Sequence, residues 1–164
     1  MAEPIGPADE AVITAQLGRP PRGAAGIGWR CPCGKPGVVL TRPRLPDGTP
    51  FPTTFYLTCP RATAACSRLE ADGLMAEMSA RLAADPALAA GQRRAHRAYL
   101  TARAELGEAP EIAGISAGGL PDRVKCLHAL LAHALAAGPG VNPLGDETRA
   151  AVGEFWLRPC LTDA

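Results

Sequence analysis

The chain carries six cysteines, at positions 31, 33, 59, 66, 126 and 160, and three histidines, at 96, 128 and 133. Thiolates bind zinc or the iron of iron-sulfur clusters, act as nucleophiles when their pKa is lowered, or lie inert in apolar surroundings. Cys31 and Cys33 form a Cys-Pro-Cys pair, Cys59 closes Leu57-Thr58-Cys59-Pro60, and Cys126 stands between Lys125 and Leu127. One CxC with isolated partners is a looser signal than a pair of CxxC motifs, so spacing alone does not separate zinc from iron-sulfur. The first expectation is a structural metal site built from Cys31, Cys33, Cys59 and Cys126.

Cys126 is expected in the first turns of a helix starting at Pro121, where the helix N-terminus and the neighbouring Arg123 and Lys125 favour its thiolate. At 100° per residue His128 lies about 160° around that helix from Cys126, so the two share an ion only if the turn is irregular. His133 shares the face of Cys126 but lies roughly 10 Å along the axis. Packing at the edge of the apolar stripe is the plain reading of both histidines, and solvation that of His96. Cys66, on an Ala/Leu stripe, reads as buried, while Cys160 has no assigned role. A rival reading is an enzyme, with Cys126 as nucleophile or the ion as catalyst, His128 as general base and Arg123 as anion clamp. A third is a scaffold with buried thiols and no metal.

The elements that would position these residues follow from hydrophobic periodicity. Residues 8–17 read as a short helix with Asp9 and Glu10 in its first turn. From Arg19 to Arg61 seven basic residues face the single acid Asp47, Ala is absent after Ala25, and Pro and Gly abound. Within this non-helical region Val38–Thr41 and Phe55–Cys59 read as two strands of a hairpin, with Leu45-Pro46-Asp47-Gly48 as a turn. Antiparallel pairing brings Cys59 beside residue 37, near Cys31 and Cys33. Helices follow: Ala62, Ala65, Cys66 and Leu69 recur at i, i+3, i+4 and i+7, and Met75, Met78 and Leu82 continue the stripe. Asp85-Pro86 opens another helix, with Leu88, Ala95, Tyr99, Ala102 and Leu106 facing inward. A Gly-rich loop over 108–119 leads to the helix after Pro121, and a last one is expected from Asp146 to about Leu157. The run Gly138 to Gly145 follows a helix rather than a strand, so it reads as a cap and turn, not a phosphate loop.

The 164 residues suit one domain: an N-terminal helix over 1–18, a Cys-containing loop and hairpin region over 19–61, and a helical region over 62–157. The 32 alanines, with aromatics at 4%, favour closely packed helices, giving a helix-dominated α+β fold. A net charge of +1 argues against a dedicated nucleic-acid binder. The basic residues Arg30, Arg42, Arg44 and Arg123 are candidates for binding an anionic ligand or a protein partner. The longest apolar stretch, Cys126 to Ala137, is too short to cross a bilayer, and no secretory signal opens the chain. A cytoplasmic protein is therefore expected, where a disulfide framework is not.

The CPCG at 31–34, the segment PDGTPFPTTFYLTCP and the stretch DRVKCLHALLAHALAAGPGVNPLG resemble a bacterial, mainly actinobacterial, family called domain of unknown function 501. The resemblance covers nearly the whole chain. It implies no activity, but it carries over at Cys31, Cys59, Cys126 and His128. Its departure at Cys33 raises His128 or His133 as the fourth ligand.

Overall fold

A computed structural model of the chain describes residues 2–161. Helix α1 (Pro7–Leu17) precedes a three-stranded antiparallel sheet of β1 (Ala24–Arg30), β2 (Pro36–Thr41) and β3 (Phe55–Leu57), in the order β1-β2-β3. Among the described residues five α-helices follow: α2 (Pro60–Ala71), α3 (Leu74–Ala84), α4 (Pro86–Ala104), α5 (Leu127–Ala137) and α6 (Pro143–Val152). The fold is α+β and dominated by helices, as composition implies.

The expected hairpin is present, with Val38 opposite Leu57 and Leu40 opposite Phe55. The strand reading missed β1, Ala-Ala-Gly-Ile-Gly-Trp-Arg, which lacks the β-branched alternation that marks a strand. Its glycines serve close packing instead: a Cβ on Gly28 would stand 2.9 Å from Leu40 Cδ2. Outside the sheet, Glu3 pairs with Ile27 through two backbone hydrogen bonds, which cover part of the β1 edge.

The centre of the molecule is α5. Leu127, Leu130, Leu131, Ala132, His133, Ala134 and Leu135 are all buried, so this helix is covered on nearly every side. Phe55 from β3, Tyr99 from α4 and His133 form a ring cluster with centroids 4.9–5.1 Å apart. Helix α6 crosses α5 at Gly145, where an added Cβ would lie 2.5 Å from the Leu130 carbonyl oxygen. Its N-terminus is capped by Asn142, whose side chain accepts from the Gly145 amide, with Pro143 at the first position. The Gly138–Gly145 run is thus a cap and turn, as its position after a helix implies.

The helix expected from Pro121 begins six residues later. Over residues 123–125 the amides are used elsewhere: Lys125 N–H donates to the Gly118 carbonyl at 2.8 Å, Arg123 N–H to the Gly119 carbonyl at 3.1 Å, and Val124 N–H to Ser79 Oγ at 3.0 Å. Cys126 is therefore the N-cap of α5, with extended backbone (φ −155°, ψ 114°), and not a residue within its first turn. The terminal helix also starts earlier than expected, at Pro143, and ends at Val152, with Phe155–Leu157 in a separate 3-10 turn.

Candidate functional site

Helix α2 lies along α5 and presents Thr63, Ser67 and Glu70, at i, i+4 and i+7, toward the α5 N-terminus. Glu70 Oε1 accepts the Leu127 amide at 2.8 Å, a donor that the helix itself cannot satisfy. The same oxygen lies 3.0 Å from His128 Nδ1, which is 3.7 Å from Cys126 Sγ. Because Cys126 has extended rather than helical dihedrals, its side chain leaves the helical circle, and the 160° separation expected for two residues of one helix does not apply. The carboxylate oxygen, the thiol sulfur and the imidazole nitrogen all lie within 4.8 Å of one another.

The tautomer of His128 follows from its other nitrogen. Nε2 lies 3.2 Å from the Thr63 carbonyl oxygen, which can only accept, so Nε2 carries a proton; Ser67 Oγ is also 3.2 Å away. In the neutral ring the Nδ1 lone pair then faces a carboxylate and a sulfur. Hydrogen bonding to the Cys126 sulfur and the charge of Glu70 outweigh burial and push His128 up to about 9. Burial pushes the Cys126 thiol up, but the His128 imidazole and the Ala129 amide outweigh it, so the thiol sits below its ordinary value. Three electron-rich atoms converge on one point, and the charge balance there calls for a cation, either a proton or a metal ion.

Beside this group opens a cleft of about 630 Å³ lined by residues 115–120, Asp122, Arg123, Lys125 and Cys126. Gly118 and Gly119, at φ 71° and 90°, turn the chain along its wall. Buried Arg103 holds that loop from behind by donating to the Ile112 carbonyl at 2.6 Å and to the Ile115 carbonyl.

The single site expected from Cys31, Cys33, Cys59, Cys126 and His128 is divided in two. Cys59 caps the N-terminus of α2 and Glu70 lies eleven residues along it, a separation of roughly 16 Å on the helix axis at 1.5 Å per residue. Cys126 and His128 gather at the Glu70 end. Cys31, Cys33 and Cys59 gather at the other, and the residue that joins them is Cys160. There burial pushes the Cys33 thiol up, but the Lys35 and Cys160 amides and the Cys31 and Cys160 thiols outweigh it and hold it below its ordinary value. Glu70 had no marker in the sequence beyond standing one turn after Cys66. Cys160 lies in an irregular tail whose path periodicity cannot trace.

The histidines and arginines also sort differently. His133 is buried and hydrogen-bonded to Asn142, matching the packing reading, whereas His96 is half-buried with Nδ1 2.8 Å from Ser116 Oγ rather than solvated. Cys66 is fully buried, and burial pushes its thiol up to about 12. Arg30 is paired with Glu3 and Asp9, and Arg44 Nη2 donates to both Glu111 carboxylate oxygens, at 2.7 and 2.9 Å. Arg42 and Arg44 line a groove with Glu10, away from the cleft that holds Arg123. The four arginines do not form one anion-binding face.

The family described as protein of unknown function (DUF501) matches residues 27–150. The chain belongs to that family. The match spans β1 through most of α6, so Glu70, Cys126 and His128 lie inside the DUF501 region and Cys160 lies beyond it. No curated protein and no solved structure matches the chain. Among the described residues no helix is long and apolar enough to cross a membrane.

Proposed function

We propose that Glu70, Cys126 and His128 hold a divalent ion of the zinc type, and that the protein binds and transforms an anionic ligand at the adjoining cleft. One observation carries this reading: a carboxylate, a thiol and an imidazole nitrogen converge within 4.8 Å while the other imidazole nitrogen is fixed on a backbone carbonyl. That outer hydrogen bond is the usual way a metal-binding histidine is oriented. The 3.0 and 3.7 Å spans between the acceptors are close to the roughly 3.3–3.7 Å between ligands around a tetrahedral ion with bonds of about 2.0–2.3 Å.

Three protein ligands leave one position open, the pattern of zinc that acts on a substrate rather than zinc that only holds a fold. Such an ion supplies a water acidified toward neutrality and a Lewis acid for a carbonyl or phosphoryl oxygen. Arg123 and Lys125 at the mouth favour an anionic ligand. Glu70 also serves the fold, because accepting the Leu127 amide fixes the α5 N-terminus and with it both other ligands.

Metal content of the chain purified without added ions tests this reading. Glu70→Gln and Cys126→Ser are expected to lose one equivalent of zinc while keeping a native far-ultraviolet spectrum. In the cobalt-substituted protein, orthophosphate is expected to perturb the cobalt spectrum, and less so after Arg123→Ala. Zinc content unchanged in both ligand variants overturns the proposal. A second reading, a metal-free Cys126 thiolate paired with the His128 imidazolium, is favoured by the opposite pKa shifts of those two groups. It predicts that Cys126 reacts with iodoacetamide faster than any other thiol, with no dependence on chelator.

A further inference from the structure

The loop between α4 and α5 holds a serine and a glycine pair that the Glu70, Cys126 and His128 group does not use. Gly114-Ile115-Ser116-Ala117-Gly118 has the G-x-S-x-G spacing of hydrolase nucleophiles, but it lies in a loop rather than between a strand and a helix, so geometry has to identify the nucleophile. Ser116 is 4% exposed and lines the cleft of about 630 Å³. Helix α4 brings His96 to it: Ser116 Oγ lies 2.8 Å from His96 Nδ1 and 3.5 Å from the Leu120 carbonyl oxygen. The hydroxyl has one proton and two acceptors in reach, and the ring nitrogen is the nearer. Burial holds the His96 imidazole below its ordinary value; the charge of Asp122 opposes this, while Arg103 and Arg97 reinforce it. The ring is therefore neutral at pH 7 and able to accept a proton.

The wall around Ser116 supplies the second requirement of acyl transfer, donors for a developing oxyanion. Ile115 N–H donates to the Ile112 carbonyl at 3.0 Å and Leu120 N–H to the Ala117 carbonyl at 3.3 Å. The amides between them, of Ser116, Ala117, Gly118 and Gly119, have no acceptor among the described residues. Such a run of open donors is uncommon away from bulk water, where most backbone N–H groups are paired. Gly118 and Gly119, at φ 71° and 90°, turn this run, and a Cβ on Gly119 would stand 2.6 Å from the Arg123 carbonyl oxygen. Arg103 fixes the loop from behind through the Ile112 and Ile115 carbonyls, so the donors are held in place before a ligand arrives. Arg123 and Lys125 line the same cleft with Asp122 and leave it net positive.

We propose that Ser116 is a nucleophile, with His96 as its general base, for acyl transfer from a carboxylic ester that carries a second, anionic group. Ser116 Oγ bonds to the carbonyl carbon as its proton passes to His96 Nδ1, and the carbonyl oxygen becomes an oxyanion stabilised by the open amides. The adduct collapses, the bond to the leaving oxygen breaks, and that oxygen takes the proton from His96 and departs as an alcohol. Water then attacks the acyl carbon, gives a proton to His96, and a carboxylic acid leaves as Ser116 recovers its proton. The anionic group is met by Arg123 and Lys125. Acylation of Ser116 rests on the reading of this cleft as a ligand site and is independent of an ion at Glu70.

The test exposes the full wild-type chain to mono-p-nitrophenyl succinate, an anionic ester, and to neutral p-nitrophenyl acetate. A burst of p-nitrophenolate is expected, faster for the succinate, with the acyl group mapped to Ser116 by tandem mass spectrometry. Arg123→Ala should reduce the preference for the succinate. His96→Gln should slow acylation of Ser116 by about 100-fold while keeping the helical spectrum. In the wild type the rate should fall in acid with a midpoint below 6.5, a dependence absent from His96→Gln. Acylated Ser116 in protein that holds no zinc supports the nucleophile and overturns the metal reading alone. Acyl groups on Cys126 or lysine but not on Ser116, or equal acylation of Ser116 in wild type and His96→Gln, would overturn the nucleophile whether or not zinc is bound. Equal rates for the two esters would overturn the anionic substrate class.

Discussion

Mild acid is expected to destabilise the protein through His133, and the size of the effect follows from the geometry around that ring. Asn142 Oδ1 accepts the Gly145 amide at 2.9 Å, so it is the Asn142 Nδ2 group that faces His133 Nδ1, at 3.2 Å. His133 Nδ1 must therefore accept, and the ring is neutral with its proton on Nε2. Protonating Nδ1 would set a donor against a donor inside the Phe55 and Tyr99 ring cluster. Burial accordingly pushes His133 down to about 4 from its ordinary 6.5. A depressed imidazole leaves stability intact above the unfolded value and removes it as pH falls, because the unfolded chain takes up the proton first. At 1.36 kcal/mol per unit the loss is about 2 kcal/mol at about pH 5 and about 3 kcal/mol below pH 4. Urea unfolding of wild-type and His133→Gln protein at about pH 7.5 and pH 5 isolates this effect. The wild type should lose about 2 kcal/mol more than the variant between the two conditions. Equal losses, or an imidazole that titrates near 6.5 by NMR in the folded protein, would refute the reasoning.

Gly145→Ala should cost about 2–3 kcal/mol in thermal or urea unfolding, since its Cβ would meet the Leu130 carbonyl at 2.5 Å and the Ala134 Cβ at 2.8 Å and so push α6 off α5. Arg103→Gln should cost about 2 kcal/mol, because it strips the charged donor from the Ile112, Ile115 and Pro52 carbonyls; hydrogen exchange over 110–120 should rise more than in α5. The fully buried Cys66 should resist a maleimide in the native state and react only on unfolding, as peptide mapping by mass spectrometry would show.

The helices are legible in the sequence because their apolar residues repeat at helical spacing, and the hairpin because Val38–Thr41 and Phe55–Leu57 flank a clear turn. Strand β1 is not, since a Gly-rich strand is specified by what packs against it rather than by its own side chains. The chemistry-bearing residues are partly legible. The antiparallel hairpin places Cys31, Cys33 and Cys59 together, a local constraint that residue spacing expresses. Cys126 belongs to a different corner than its spacing implies, because Pro121 reads as a helix start while the amides of 123–125 are taken by Gly118, Gly119 and Ser79. That shift of six residues turns Cys126 from a helical residue into a cap, brings it to His128, and leaves Glu70 as the third member. Such a contact between α2 and α5 depends on how two helices cross, which no single segment encodes. Cys160 escapes a sequence reading for a similar reason: its place is set by Gln16, Lys35 and Arg61, which are scattered over the chain.

The most direct measurement is anomalous diffraction from crystals of the protein purified without added metal, recorded on both sides of the zinc absorption edge. A difference peak about 2.0–2.3 Å from Glu70 Oε1, Cys126 Sγ and His128 Nδ1, with one further oxygen completing the tetrahedron, is the predicted result. A well-ordered map in which those three atoms surround no peak, with His128 Nδ1 donating a hydrogen bond to Glu70 in protein that reacts rapidly at Cys126, would contradict a metal centre there.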